Sequence, residues 1–157
     1  MIVRKIASAV VFAALLSALT AYAAGAPTPS PKDKCPVCGM FVAKYPDWTA
    51  VITFRDGTSQ FFDGAKDMFT YYHAVRKYSP KRDQASMSSI TVRDYYALKQ
   101  IDARTAFFVI GSDVSGPMGH ELIPFAKEAD AREFLKDHKG KKIVRFNDVS
   151  AALAKGL

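Results

Sequence analysis

The sequence contains few of the residues on which most redox, zinc and hydrolytic sites depend. Its 157 residues include two cysteines and three histidines. Two cysteines cannot form a disulfide framework or a four-cysteine zinc site. The histidines form no His-x-His or His-x₃-His pair, and Gly-x-Ser-x-Gly, His-Glu-x-x-His and phosphate-binding glycine motifs are absent. We therefore expect a binding protein that is not an enzyme.

Concentrated basic charge is also lacking, although the formal net charge is +7. The tightest basic cluster, residues 139–142, contains a glycine, and basic and aromatic residues do not interleave as they do in nucleic-acid readers. The charge therefore indicates a solvated surface, and nucleic acid is not an expected partner.

Long apolar runs are confined to the N-terminus. Arg4 and Lys5 precede an apolar run from Ile6 to Leu19, and Ala21-Tyr22-Ala23 is a small-x-small cleavage site. This pattern predicts a signal peptide over residues 1–23 and export to the periplasm. No cysteine lies in the run or just after it, so neither a lipid-modified N-terminus nor a permanent membrane anchor is expected. An uncleaved leader held in the membrane is the alternative.

The remaining chain predicts an α+β domain over residues 35–157. Residues 24–34 alternate proline with small and polar residues, which predicts an extended spacer that does not pack. The predicted elements then follow the order strand, strand, helix, strand, twice. We therefore predict two small ββαβ halves packed together, over about 35–100 and 101–157, and infer an internal duplication.

Local signals set the predicted boundaries. An Asp56-Gly57 turn joins strands over 49–54 and 58–62, and Asp63 is the expected N-cap of a helix that runs to Tyr78. The other predicted elements are strands over 89–98, 105–110, 121–125 and 142–146, a helix over 127–138 and a short last helix capped by Asn147 or Asp148.

Both cysteines lie in one stretch, Cys35-Pro36-Val37-Cys38-Gly39-Met40. Thiolate and thioether ligands suit a soft cation, above all Cu(I). A zinc site would need a second ligand pair. The alternative is an exported thiol–disulfide oxidoreductase that uses Cys35 and Cys38. Such a redox pair usually starts an amphipathic helix, and the residues after Cys38 do not predict one.

A second candidate stretch is the loop Gly116-Pro117-Met118-Gly119-His120. In an extended segment, Met118 and His120 would point to the same face, and the glycines would permit close approach of the backbone. We predict that Met118 and His120 complete the site begun by the cysteines. The other internal methionines and histidines are expected to serve packing or to lie at the surface: Met68, Met87, His73 and His138.

Together these motifs resemble the nitrous oxide reductase accessory protein family, NosL. The resemblance runs from about Cys35 to Phe146, and the stretches that carry it are Cys35–Met40, Asp56-Gly57, Phe62-Asp63-Gly64, Gly116–His120 and Pro124-Phe125-Ala126. It implies a fold of two ββαβ halves and a periplasmic Cu(I)-binding metallochaperone of denitrification. The implied partners are nitrous oxide reductase, its membrane ABC-type maturation complex or another exported cuproenzyme.

The resemblance also implies a set of copper ligands. Cys38, Met118 and His120 come first, and Cys35 and Met40 come next. Many family members are lipoproteins anchored through an N-terminal cysteine, which this sequence lacks. The sequence does not separate copper storage from copper delivery.

Overall fold

The computed structural model describes residues 26–157, so the predicted signal peptide lies outside the described residues. This part of the chain forms two larger antiparallel sheets, each with a helix that follows its second strand, and a two-stranded hairpin. No helix within residues 26–157 is long and apolar enough to cross a membrane.

The first sheet orders its strands β2-β1-β3-β4. The turn between β1 and β2 contains Gly57 at φ +82°, a conformation that favours glycine. Helix α1 follows β2, and the short helix α2 comes directly after it. The elements are β1 (Ala50–Phe54), β2 (Ser59–Phe62), α1 (Ala65–His73), α2 (Val75–Tyr78), β3 (Met87–Arg93) and β4 (Gln100–Asp102).

The second sheet orders its strands β8-β5-β9. In the first sheet, β1 pairs with β2 on one side and with β3, the strand after the helix, on the other. In the second sheet, β5 pairs in the same way with β8 and with β9, the strand after the helix. The elements are β5 (Phe107–Ile110), β6 (Ser115–Gly116), β7 (Gly119–His120), β8 (Ile123–Phe125), α3 (Glu128–Asp137), β9 (Lys142–Arg145) and α4 (Ala151–Lys155). The predicted α+β class is confirmed, whereas the internal duplication stays a prediction.

The predicted helix over 63–78 starts later and is divided. Its N-cap is Gly64, which offers no side chain to the first turn. The prediction of Asp63 as the N-cap is wrong because this carboxyl group contacts a cysteine instead. Ala74, at φ −129° and ψ 35°, interrupts the helix before α2 begins.

Three further predicted boundaries differ from the structure. The third strand ends at Arg93 because Asp94 begins a turn, and this turn leads to the unpredicted strand β4. The β6–β7 hairpin was not predicted either. The last helix is capped by the Ser150 hydroxyl, and not by Asn147 or Asp148.

The predicted spacer contacts the fold over its described residues. The Asp33 carbonyl accepts a hydrogen bond from the Val42 N–H at 3.0 Å. Pro27 and Pro29 line a cavity of about 150 Å³ beside β3. The expectation that this segment does not pack is therefore wrong for residues 26–34, while the division of the domain near residue 100 stays a prediction.

The two halves share one apolar core. Successive side chains of β5 point to opposite faces of its sheet. Phe108 belongs to the main core and lies against α1, where the ring centroids of Phe108 and Phe69 are 5.2 Å apart. Val109 packs with Phe134 under α3 in a smaller cluster. The second sheet is therefore covered on both faces, and α1 packs against strands of both halves.

Asp94 links the halves through hydrogen bonds. It is 1% exposed, and its Oδ1 accepts the N–H groups of Tyr96 at 3.0 Å and Ala97 at 2.7 Å. Its Oδ2 accepts the N–H of Ala126, beyond β8, at 2.7 Å. One buried side chain therefore satisfies three backbone donors from two halves.

Asp94→Ala should destabilise the protein by about 3 kcal/mol because three backbone N–H groups lose their acceptor. Asp102→Ala is the matched control, since this exposed side chain accepts a single backbone N–H, from Arg104, and should cost less than about 1 kcal/mol. Urea unfolding of the metal-free protein measures both. Equal losses in the two variants would contradict the bridging role of Asp94.

Candidate metal centre

The two cysteines lie in a tight loop that reverses the chain. The Cys35 N–H donates to the Met40 carbonyl, and the Gly39 N–H donates to the Cys35 carbonyl, both at 2.9 Å. Gly39 has φ +81°, a left-handed conformation that a side chain would strain. Lys34 pairs with Phe41 across the base of the loop. Short-range backbone bonds therefore place both sulfur atoms on one narrow turn.

Two aspartates that sequence reasoning did not assign to the site lie against the thiols. The Cys35 thiol donates to Asp67 Oδ2, and the Cys38 thiol donates to Asp63 Oδ1, both at 3.2 Å. One ligand atom from each of the four residues lies within 4.8 Å of the others. The aspartates flank the start of α1, four residues apart. That spacing is the signal in the sequence that could have paired them.

This cluster is mostly buried, and one of its oxygen atoms lacks a partner. Cys35 and Asp63 are each 1% exposed, and Asp67 is 7% exposed. Asp63 Oδ2 is buried without a hydrogen-bond donor. A buried carboxylate oxygen without a donor is unfavourable. A cation bound among these thiols and carboxyl groups would satisfy it, so the residues fit a metal ion.

The surroundings keep both thiols protonated in the absence of metal. Burial is the largest cause, and together with the nearby aspartates it raises the pKa of Cys38 to about 12. Burial likewise raises the pKa of the Cys35 thiol. Backbone N–H groups directed at the two sulfur atoms oppose both shifts because they favour the thiolate. A bound metal must therefore release thiol protons, and the loop already holds donors for the thiolates.

The same features disfavour the oxidoreductase alternative. Reactive cysteines are partly exposed and have a lowered pKa, often at a helix N-terminus. Here the pKa of both thiols is raised, Cys35 is buried, and a 3₁₀ turn, Val42–Lys44, follows the loop. The cysteines are free thiols in the structure. This geometry favours metal binding over disulfide exchange.

The Gly116–His120 segment is a hairpin and not the expected extended loop. Ser115 pairs with His120 and Gly116 with Gly119, which leaves Pro117 and Met118 at the turn. Met118 is 46% exposed. The expectation that an extended segment places Met118 and His120 on one face is therefore wrong.

The predicted ligands thus occupy two places in the fold. Cys35 and Cys38 lie in the four-residue cluster, and Met40 lies half-buried at the end of their loop. Met118 and the exposed His120 lie on the hairpin, and His120 is not one of the four clustered residues. The assignment of these five residues as metal ligands stays a prediction.

Glu121 joins the hairpin to the start of α1. Its Oε1 accepts the N–H of Lys66, in the first turn of α1, at 2.5 Å and that of Leu122 at 2.8 Å. A Cβ at Gly64 would collide with the other carboxyl oxygen of Glu121. Burial raises the pKa of Glu121 to about 8, against the opposing effect of both N–H groups and the Lys66 ammonium. A side chain from the second half therefore supplies the helix cap that Gly64 cannot.

Fold and site together define a small α+β protein with a candidate metal centre of two thiols and two carboxyl groups. The NosL family model matches residues 27–154. The chain belongs to the NosL family.

One curated relative and two solved structures extend this comparison. The chain is 27% identical over 135 residues to the copper-binding lipoprotein NosL of Stutzerimonas stutzeri, a match that covers 77% of this chain and 64% of that protein. The chain thus spans less than two thirds of that relative's length. The crystal structure of the copper chaperone NosL from Shewanella denitrificans matches with a TM-score of 0.67 at 24% identity, over 81% of this chain and 96% of that one. This match shows a shared fold. The solution structure of apo-NosL from Achromobacter cycloclastes matches with a TM-score of 0.47 at 24% identity, over 67% of this chain and 87% of that one.

Asp63→Asn should lower the pKa of Cys38, because it removes a negative charge next to the thiol. A fall of one pKa unit would speed alkylation of Cys38 at pH 8 about tenfold. The measurement is the pH dependence of iodoacetamide labelling in the reduced, metal-free protein, resolved by mass spectrometry. Asp137→Asn, at an exposed site on α3, is the control and should change nothing. Identical labelling rates in both variants would show that Asp63 does not act on the thiol.

Glu121 should make the metal-free protein less stable as pH rises. Its pKa is about 8 in the folded state, against a usual value of 4.5. Between these values the unfolded chain binds fewer protons than the folded one, so the free energy of unfolding falls with increasing pH. The fall relative to Glu121→Gln should be on the order of a few kcal/mol between pH 5 and 8. Parallel unfolding free energies for the two proteins over this range would contradict the shift.

Proposed function

We propose that this chain carries Cu(I) as cargo and passes it to an acceptor protein. The observation that supports this most directly is a pair of thiols, one buried and one half-buried, against two buried carboxyl groups, with Asp63 Oδ2 lacking a partner. Family membership and the curated relative, which is named as a copper-binding lipoprotein, support copper as the metal.

The donor types divide the residues into metal ligands and hydrogen-bond acceptors for the thiols. Thiolate, thioether and imidazole groups select Cu(I), whereas carboxylates prefer harder ions. Cys38, Met118 and His120 are therefore the first proposed ligands, with Cys35 and Met40 as further ones. The two aspartates accept the thiol hydrogen bonds before the metal binds and balance its charge afterwards.

Release of the metal would follow the gradient of exposure across these ligands. Met118 is 46% exposed and Cys35 is 1% exposed. An incoming acceptor thus reaches the hairpin ligands first and the buried thiol last. Stepwise ligand exchange of this kind keeps Cu(I) coordinated throughout the transfer, with no free ion.

The proposed acceptors are nitrous oxide reductase, its ABC-type maturation complex or another exported cuproenzyme. Family membership supports a role in denitrification and a location in the periplasm after removal of the signal peptide. A storage protein would have the same site but no acceptor. Transfer of copper from the loaded protein to a metal-free acceptor separates storage from delivery.

Cys38→Ser should abolish stoichiometric Cu(I) binding and leave the fold intact, because the hydroxyl group is a poor ligand for a soft cation. The reduced protein without its signal peptide is titrated with Cu(I) against a competing chelator, and circular dichroism checks the fold. X-ray absorption of the loaded wild-type protein should show one copper with sulfur and nitrogen neighbours. Unchanged Cu(I) affinity in the variant would remove Cys38 from the site. A wild-type protein that binds no Cu(I) tightly would contradict the carrier function.

A further inference from the structure

We propose that Lys66 is a positioning residue that holds the Met118–His120 hairpin against the thiol end of α1, so that ligands from both halves form one metal site. The inference rests on the proposed function because it assigns a role to the hairpin in Cu(I) binding.

The buried Glu121 anchors one end of the hairpin, but the hairpin itself is very short. It consists of two residue pairs, Ser115–His120 and Gly116–Gly119. Isolated two-stranded hairpins are marginal in water, and this one has only two pairs. Its turn residue Met118 is 46% exposed, and His120 is also exposed. Apolar burial therefore contributes little to its placement.

The Lys66 ammonium attaches the hairpin to α1. Its Nζ donates to the Met118 carbonyl at 2.7 Å and to the His120 carbonyl at 2.8 Å. Hydrogen bonds from a charged donor are shorter and about twice as strong as those between neutral groups. Both acceptors belong to the predicted ligand residues themselves, so the lysine fixes the backbone from which each side chain projects.

The backbone of Lys66 is fixed in turn by its place in α1. Its N–H donates to Glu121, the residue that follows the hairpin. Along the chain it lies between Asp63 and Asp67, whose carboxyl groups contact Cys38 and Cys35. Residues 63–67, at the start of α1, therefore contact the thiols through two aspartates and the hairpin through one lysine. Any change in the lysine contacts alters the position of the hairpin relative to the cysteines.

Lys66→Leu tests this role because leucine keeps part of the apolar stem, removes the ammonium and adds no metal ligand. We expect Cu(I) affinity to fall about ten- to a hundredfold, the effect of losing two charge-assisted hydrogen bonds. The nitrogen contribution to the copper X-ray absorption should also be lost. Lys136→Leu, at an exposed position in the last turn of α3, is the matched control and should leave both unchanged.

A double-mutant comparison shows whether Lys66 acts through the hairpin. In a Met118→Ala/His120→Ala background, Lys66→Leu should lower Cu(I) affinity less than twofold. An equal loss of affinity with and without the two hairpin side chains would overturn the proposal, because the lysine would then act elsewhere.

A measurement on the metal-free protein separates this inference from the carrier function. Backbone ¹⁵N order parameters of residues 115–120 should fall from about 0.85 to below about 0.6 in Lys66→Leu and stay unchanged in Lys136→Leu. Unchanged order parameters in Lys66→Leu would overturn the positioning role. A wild-type protein that binds no Cu(I) would instead refute the carrier function, whatever the hairpin does.

Discussion

A carboxyl group buried beside a thiol needs either a proton donor or a cation, and the rest of the site depends on this requirement. In the metal-free state the thiols of Cys35 and Cys38 are the donors for Asp67 and Asp63. One oxygen of Asp63 still lacks a donor. The buried carboxyl groups are thus satisfied only while the thiols keep their protons or a metal ion replaces those protons. Metal binding and proton release are two aspects of the same electrostatic balance.

The start of α1 connects the thiol–carboxyl cluster to the rest of the fold. Gly64 leaves the helix without a cap of its own, and Glu121 from the second half provides one. In the other direction, Lys66 of the first half donates hydrogen bonds to two carbonyl groups of the hairpin in the second half. Asp94 links the halves at a second point through Ala126. Buried polar groups thus fix how the halves sit together, in addition to the apolar core that they share.

Local patterns predicted most of the fold and half of the candidate site. The Asp56-Gly57 turn and the strands on either side of it are encoded by nearby residues, as is the cysteine loop with Gly39 at its end. Asp63 was misassigned because an aspartate before an amphipathic run usually caps the helix, and only a tertiary contact 25 residues away overrides that preference. Lys66 and Met118 are 52 residues apart, and no local pattern in the sequence predicts their contact.

The cap supplied by Glu121 has a consequence for how the protein comes to be functional. The capped residue and Glu121 are 55 residues apart, and the carboxyl group belongs to the half that is synthesised second. The first half can collapse around its own sheet, but the beginning of its helix is completed only when the second half docks. The entropy cost of closing a loop of this length opposes the formation of such a contact. Assembly of the centre is therefore coupled to completion of the whole domain, so a nascent chain that exposes its two thiols early does not yet present a finished site.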